Sequence, residues 1–276
     1  MPTFDTHTPI TVTIDVSTGD VRLIAGDIAT TVVDVRPSDP DNADDVRAAE
    51  QTHVQFENGH LVVRAPKRRR PTRDGGSIDV TVELPAGSNV NGTGALTDFD
   101  GDGRLGDCRM RTGVGRIELG TVGKLNIRSG GGDIEVDRVT EHAQIQTRSG
   151  DVRVRAFDAS AVIKNSNGPT WVGSAGGDLR VTAANGAIEV DEARASVVAK
   201  ASMGDVRVGS VGRGTAVLET RTGDVDIGIP EGTAAWLDVH ARAGRVLNAL
   251  EAADAPADTD EKVEVRARTA IGDVAI

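Results

Sequence analysis

The segment DFDGDGRLGDCR, which starts at Asp98, spaces its acids as the first half of a calcium-binding loop does. Asp98, Asp100 and Asp102 alternate with other residues, and Gly103 follows where such a loop turns sharply. The loop should close on a bidentate glutamate, but Arg109 stands there and brings a cation where an anion is needed. Asp and Gly are also typical of turns between strands. We therefore expect a turn here, and we predict no metal and no cofactor.

A second group of acids consists of aspartates that each directly follow a glycine: Asp133, Asp151, Asp205 and Asp224. Asp133 and Asp151 are eighteen residues apart. Stacked strands about 4.8 Å apart would place their carboxylates side by side. Such a pair can share a cation or separate its pKa values, a device open to solenoids that cleave polysaccharides. Pro169 and Ala187 break the series, which favours an ordinary turn role.

A third series occupies alternate strand positions that should face solvent. All of its members but one are charged: Glu118, Glu135, Arg153, Trp171, Glu189, Arg207 and Asp226. An exposed tryptophan among charges is a candidate contact for a sugar or a protein, although its indole could instead pack under a loop such as the one after Leu247. We predict no catalytic residues, and we predict an interaction surface formed by Glu135, Arg153, Trp171, Glu189 and Arg207.

A repeat sets these positions. Glycines recur every eighteen residues at Gly132, Gly150, Gly168, Gly186 and Gly204. Four residues after each glycine stands a valine: Val136, Val154, Val172, Val190 and Val208. Apolar and polar residues alternate within each repeat, as in GDIEVD and AQIQTRS, which indicates strands with one buried face. Like residues at a fixed period predict stacked rungs, in which glycine allows turns with positive φ.

The predicted fold is therefore all-β: a single-stranded parallel β-solenoid with rungs of about 18 residues, right-handed by the rule for parallel crossovers. An antiparallel meander closed into a sandwich or barrel also gives short strands, but it does not explain a fixed period. Residues 1–110 are predicted to be an irregular N-terminal cap that includes a short helix at Asp44–Gln51. Residues 111–276 are predicted to be the regular repeat with a C-terminal capping segment, in one continuous domain. The basic run Lys67–Arg70 should be a solvated loop.

Composition narrows the function classes. The net charge of −11 over 276 residues would repel a phosphate backbone, so we predict no nucleic-acid partner. Aromatic residues make up 2% of the chain, which fits a narrow core of small and β-branched side chains. We see no signal peptide and no apolar stretch of membrane-spanning length, and Cys108 is the single cysteine. These features suggest a cytoplasmic protein without membrane insertion.

Several segments resemble a known family. The opening MPTFDTHTPITVTIDVSTGDVRLIAG, the segment IDVTVELPAGSNV and the repeated TGDVDI, SGDVRV and ANGAIEV are similar to the DUF4097 family of β-strand-repeat proteins, which are also described as adhesin-like. AVIKNSNG and VEVRARTAIGDVAI are similar to its actinobacterial members. The resemblance covers nearly the whole chain. It implies a β-repeat fold, and it implies no catalytic residue at any position of this chain.

Two functions remain open at this point. The first is a non-enzymatic β-solenoid scaffold that binds an unknown protein or carbohydrate partner through its charged outer face, or that associates with itself. The alternative is a carbohydrate-active enzyme of the parallel-solenoid kind, a lyase or hydrolase, which needs two acids and a base converging in one cleft. Because the sequence shows charges in series and no such convergence, the scaffold is preferred.

The segment VEVRARTAIGDVAI runs as a strand pair to Ile276. The end of a solenoid is a sheet edge, which proteins cover or pair. We expect either that Leu247–Lys262 folds across this edge with Leu247 and Leu250 as its apolar underside, or that two ends pair in a symmetric homodimer. The capped monomer is the preferred alternative.

Overall fold

Alternating apolar residues and regularly spaced glycines produce short strands along most of the chain. A computed structural model describes residues 1–66, 76–250 and 261–276. The chain forms two compact units, residues 1–140 and 141–276. Within each unit the repeats pair in parallel and in register, which confirms the predicted all-β parallel solenoid. The division predicted at residue 110 stays a prediction, and the basic run Lys67–Arg70 lies outside the described residues.

The first unit is built around one long strand. Its elements are β1 (Thr3–Asp5), β2 (Thr11–Gly26), β3 (Thr30–Pro37), α1 (Ala43–Glu50), β4 (His53–Glu57), β5 (His60–Arg64), β6 (Ile78–Pro85), β7 (Asn89–Arg104), β8 (Cys108–Thr112), β9 (Ile117–Val122), β10 (Leu125–Ser129) and β11 (Ile134–Val139). β2 pairs in parallel with β7 along one edge and with β5 and β6 along the other. From β7 the rungs continue through β8 to β10 and through β9 to β11.

Beyond β5 and β6 the pairing of the first unit becomes antiparallel. β4 pairs with β5, and β3 lies between β6 and β1. This irregular layer agrees with the expected N-terminal cap. The predicted short helix is α1, which begins where Asn42 accepts the amide N–H of Asp44. α1 is eight residues long, and the described ranges contain no helix with the length and apolarity of a membrane span.

The second unit consists of two parallel sheets. Its strands are β12 (Ala143–Ser149), β13 (Val152–Phe157), β14 (Ala161–Asn167), β15 (Thr170–Ala175), β16 (Leu179–Asn185), β17 (Ile188–Ala193), β18 (Val197–Met203), β19 (Val206–Val211), β20 (Gly214–Thr222), β21 (Val225–Ile227), β22 (Thr233–Ala243), β23 (Val246–Leu247), β24 (Glu261–Ile271) and β25 (Val274–Ala275). One sheet has the order β12, β14, β16, β18, β20, β24, β22. The other has the order β13, β15, β17, β19, β21, β25, β23.

This order corrects the expectation for the open end. The segment VEVRARTAIGDVAI, which forms β24 and β25, is not outermost, because β24 lies between β20 and β22. The inward Val263, Val265 and Ala267 of β24 are buried, and such a largely apolar inward face is best placed between two rungs. Leu247 lies in β23 and pairs with Ala275, so it does not form a helical underside with Leu250. Residues 251–260 of the expected cap lie outside the described residues, so the choice between a capped monomer and paired ends stays a prediction.

The repeated valines form part of the core. Val154, Val172, Val190 and Val208 occupy register-paired positions on successive strands, and each is 0% exposed. These four confirm the predicted interior column of the second unit. Val136 is also buried, in the first unit, where it pairs with Leu119.

The glycine turns are stabilised from the inside by buried polar side chains. Gly168, at φ +126°, has a carbonyl that accepts a hydrogen bond of 3.0 Å from Nδ2 of Asn165. The hydroxyls of Thr220 and Thr269 donate in the same way to the carbonyls of Gly204 and Gly223. Inward polar residues near the corners therefore satisfy carbonyls that the turns direct into the core.

Candidate functional site

The predicted outward series forms a straight line of side chains on the second unit. Arg153 pairs with Trp171, Trp171 with Glu189, and Glu189 with Arg207, on four neighbouring strands from β13 to β19. Asp226 on β21 extends the line, with its Oδ2 at 3.7 Å from Nε of Arg207. The structure therefore brings four of the five predicted surface residues together. We call the line from Arg153 to Asp226 the outer ladder.

The fifth predicted residue, Glu135, lies in the first unit. It pairs with Glu118, the preceding member of the series. The guanidinium of Arg116 contacts both carboxylates, at 2.6 Å from Glu118 and 3.7 Å from Glu135. This arrangement balances two like charges on neighbouring strands with one shared cation.

Trp171 is half-buried because its indole lies along its own strand. A methyl group placed on Gly173 would come within about 3.1 Å of Cη2 of the ring, so the glycine leaves the space that the indole occupies. The indole N–H donates to Oδ1 of Asp191 at 3.2 Å. Two contacts therefore hold the ring in one orientation, with Arg153 and Glu189 on the strands at either side. The loop after Leu247 is not needed to explain its burial.

Charged side chains flank this ring on the neighbouring strands, with Arg153 on one side and Glu189 on the other. Nη2 of Arg153 lies 3.4 Å from Oδ2 of Asp151, at the turn that precedes its strand. Farther along β17, where it pairs with Ser174, Glu192 accepts two hydrogen bonds of 2.9 Å from the guanidinium of Arg194. The hydrogen bond from Arg194 lowers the pKa of Glu192, which therefore stays charged. The surroundings of Trp171 thus offer both signs of charge close to a flat aromatic group.

The aspartates at the turns act as acceptors for the next rung. Oδ1 of Asp205 accepts the amide N–H of Asp224, and Oδ1 of Asp224 accepts that of Asp273, both at 2.8 Å. Asp273 accepts the amide N–H of Arg245, and this hydrogen bond is the main cause of its lowered pKa. These carboxylates carry out the turn role that the sequence favoured.

The two aspartates proposed as a stacked pair belong to different units. Asp133 precedes β11 in the first unit, and Asp151 precedes β13 in the second. The described residues contain no group of three or more His, Cys, Asp or Glu side chains arranged to hold a metal ion.

The three aspartates of the segment with calcium-loop spacing lie in strand β7, and the turn follows at residues 105–107, between β7 and β8. Asp98 accepts the amide N–H of Arg116 at 2.8 Å, and Asp100 forms an ion pair of 3.7 Å with Arg22. Gly103 has φ +84°, next to the irregularity between residues 101 and 104. The expectation of a turn was wrong for Asp98 and Asp100, because strand alternation continues through them, with each aspartate exposed between two buried residues.

Sequence reasoning missed a line of three carboxylates in the first unit. Asp20 on β2 pairs with Asp79 on β6 and with Asp98 on β7. Partial burial, followed by repulsion from Asp79 and Asp98, raises the pKa of Asp20. No local signal reveals this line, because its members are brought together only by the register of distant strands.

Substitution Asp20→Asn is expected to stabilise the first unit at neutral pH. The neutral form of Asp20 favours folding, and that contribution is fully present below the ordinary pKa of about 3.9 and is lost as the pH rises through the higher folded-state pKa. The variant should therefore melt above the parent at pH 7, and the difference should shrink as the pH approaches 4. Thermal melts across this range measure it, with Asp102→Asn as a control on an exposed position of β7. If Asp20→Asn raises the melting temperature by the same amount at pH 4 and at pH 7, the account is contradicted.

The model of the family Toastrack DUF4097 matches residues 12–276, which confirms the resemblance seen in the sequence. No curated protein matches the chain. Among solved structures, a candidate adhesin from Parabacteroides merdae is 10% identical with a TM-score of 0.48, over 83% of this chain and 95% of that one. A candidate adhesin from Parabacteroides distasonis is 12% identical with a TM-score of 0.45, over 100% of this chain and 95% of that one.

Proposed function

From the premise that the chain belongs to the Toastrack DUF4097 family, we propose that it is a non-enzymatic scaffold that binds a protein or carbohydrate partner on the outer ladder. The observation that carries the proposal is the orientation of Trp171, which Gly173 and Asp191 hold against β15. A ring that is already fixed loses little conformational freedom when a partner packs against it. Tryptophan is also enriched among the residues that dominate binding energies.

The charges beside Trp171 supply selectivity. Arg153, Glu189 and Arg207 alternate in sign along the ladder: Glu189 and Arg207 are one strand spacing of about 4.8 Å apart, and Arg153 is two spacings from Glu189, with Trp171 between them. A partner with groups of the opposite signs at these spacings would pair with all of them, whereas a partner shifted by one strand would face like charges. A rigid, regular array of this kind suits recognition of an extended partner.

The second unit gives the catalytic alternative less support; the raised pKa of Asp20, beside Asp79 and Asp98, belongs to the first unit. An acid catalyst in a glycosidase needs a carboxyl whose pKa is raised towards neutrality, close to a second carboxylate that acts on the same bond. In the second unit, hydrogen bonds from Arg245 and Arg194 lower the pKa of Asp273 and Glu192, which is the opposite of what an acid catalyst needs.

Binding can be tested with Trp171 as both probe and target. In a Trp236→Phe background Trp171 is the remaining tryptophan, so its fluorescence reports on the outer ladder alone. Soluble oligosaccharides and size fractions of a protein extract from the native host should each be titrated into this variant. We expect one class to change the emission, and Trp171→Ala to weaken capture of the same ligand at least about tenfold.

The control is Lys164→Ala, an exposed position on the opposite sheet of the same unit, which should leave the affinity unchanged. Equal binding by the parent and Trp171→Ala, with loss in Lys164→Ala, would move the binding site to the other sheet. Turnover of any polysaccharide that Asp133→Ala or Asp151→Ala abolishes would instead favour the enzyme.

A further inference from the structure

The outermost strand of the second unit leaves one edge open. β22 pairs with β24 over residues 233–243, and within residues 1–66, 76–250 and 261–276 no register joins its other edge to a strand. β22 is eleven residues long, longer than the repeat strands such as β14 and β16. An edge of this length presents a row of N–H and C=O groups that can pair with another strand.

The same end of the unit exposes apolar side chains that are buried elsewhere in the repeat. Inward Leu237 on β22 is half-buried, whereas its register partner Val265 is 0% exposed. On the second sheet Val246 is 47% exposed, although its partner Val274 is 0% exposed. Trp236, on the outward side of β22, is 58% exposed. Among the described residues, the apolar interior of the solenoid therefore continues to an exposed surface, which is the usual mark of an interaction site.

The sequence of β22 is complementary to itself. When the strand is paired antiparallel with a second copy about Val239, the inward residues that meet are all apolar, with Leu237 opposite Ala241 and Val239 opposite itself. The outward residues form two pairs, each made twice by the two-fold axis: Trp236 with Arg242, and Asp238 with His240. An arginine over an indole and an acid beside an imidazole are both favourable cross-strand neighbours.

We propose that this chain forms a symmetric dimer through antiparallel pairing of β22 with β22 of a second copy. The two-fold axis would pass through Val239 and join the open interiors of the two second units. A competing occupant is the chain's own segment EAADAPADTD, residues 251–260. That segment carries four carboxylates and has alanine and one proline as its apolar residues, so it offers little apolar surface to cover Leu237 and Trp236. The dimer does not depend on the proposed binding role of Trp171.

The register can be tested by oxidative cross-linking of the full chain. Substitution Val239→Cys places two thiols opposite each other on the axis, within the Cα separation of about 4.4–6.8 Å that a disulfide needs. Leu237→Cys is the matched control, because its partner in this register is Ala241 and not a second thiol. The native Cys108 does not interfere, since burial raises its pKa to about 12. We expect a covalent dimer from Val239→Cys and little from Leu237→Cys.

Solution mass tests the interface itself. The parent should have twice the chain mass by light scattering, and Arg242→Glu should raise the dimer dissociation constant at least about tenfold, because two indole contacts are lost. The double variant Trp236→Arg with Arg242→Glu restores a complementary pair in the same register and should recover the dimer. Trp171→Ala should leave the mass unchanged.

Three results would overturn the proposal. A parent that is monomeric, and that becomes dimeric when residues 251–259 are replaced by a short Gly/Ser linker, would show that the segment covers the edge. A parent that is monomeric in both forms would show that the edge stays unpaired. A dimer that cross-links through Leu237→Cys and resists Arg242→Glu would place the interface in a different register or on a different surface.

Discussion

Replacing Val172 with Asp is expected to unfold the second unit. Val172 is 0% exposed and lies between Val154 and Val190 in the interior column, so a carboxylate there would be charged, unpaired and out of reach of water. Burying such a group costs several kcal/mol, of the same order as the ~5–15 kcal/mol that stabilises a typical domain. Circular dichroism and thermal melts measure the loss.

The control for this substitution is Thr182→Asp, at an exposed position of β16. It introduces the same negative charge outside the core and should shift the free energy of unfolding by about 0.5 kcal/mol or less. A Val172→Asp variant that melts together with the parent and with Thr182→Asp would mean that the valine column is not buried.

Substitution Gly186→Ala is expected to have the second largest effect. Gly186 has φ +140°, a conformation that residues with a side chain rarely adopt, and a Cβ there would overlap the carbonyl of Gly168 on the neighbouring rung. The backbone strain alone costs about 1–3 kcal/mol, and relief of the overlap requires the two rungs to separate. We expect the free energy of unfolding to fall by about 3 kcal/mol or more.

Gly232→Ala separates strain from crowding. Gly232 also has positive φ, +82°, but a Cβ there would meet no atom within 4 Å. The free energy of unfolding of this variant, measured by chemical denaturation, should fall by about 1 kcal/mol, which is the cost of the left-handed conformation alone. Equal losses from Gly186→Ala and Gly232→Ala would show that the glycines are not in close contact between rungs.

The parts of the fold that the sequence predicts are those that repeat. Val154, Val172 and Val190 recur at one spacing because each occupies the same place on a rung, and stacking converts that spacing into a contact. The glycine positions follow for the same reason, since each turn approaches the turn before it. The outer ladder around Trp171 could be derived from the same period.

Contacts that do not follow the eighteen-residue period could not be predicted from the sequence. The insertion of β24 between β20 and β22 reverses the chain order at the end of the second unit, and no residue spacing reports it. The line of Asp79, Asp20 and Asp98 depends on pairing between β2 and two distant strands. The exposure of Trp236 depends on β22 being outermost, which the repeat does not indicate.

The most direct test of the account is the register of the outer ladder, on which both the solenoid and the proposed binding face depend. Glu189 and Arg207 pair directly on adjacent parallel strands, so the double variant Glu189→Cys with Arg207→Cys should form an intrachain disulfide on mild oxidation. The double variant Asp191→Cys with Arg207→Cys is offset by two residues and should not. Mass spectrometry after proteolysis identifies the linked peptides. Linkage in the first variant alone is the predicted result; equal linkage in both, or linkage only in the offset pair, would contradict it.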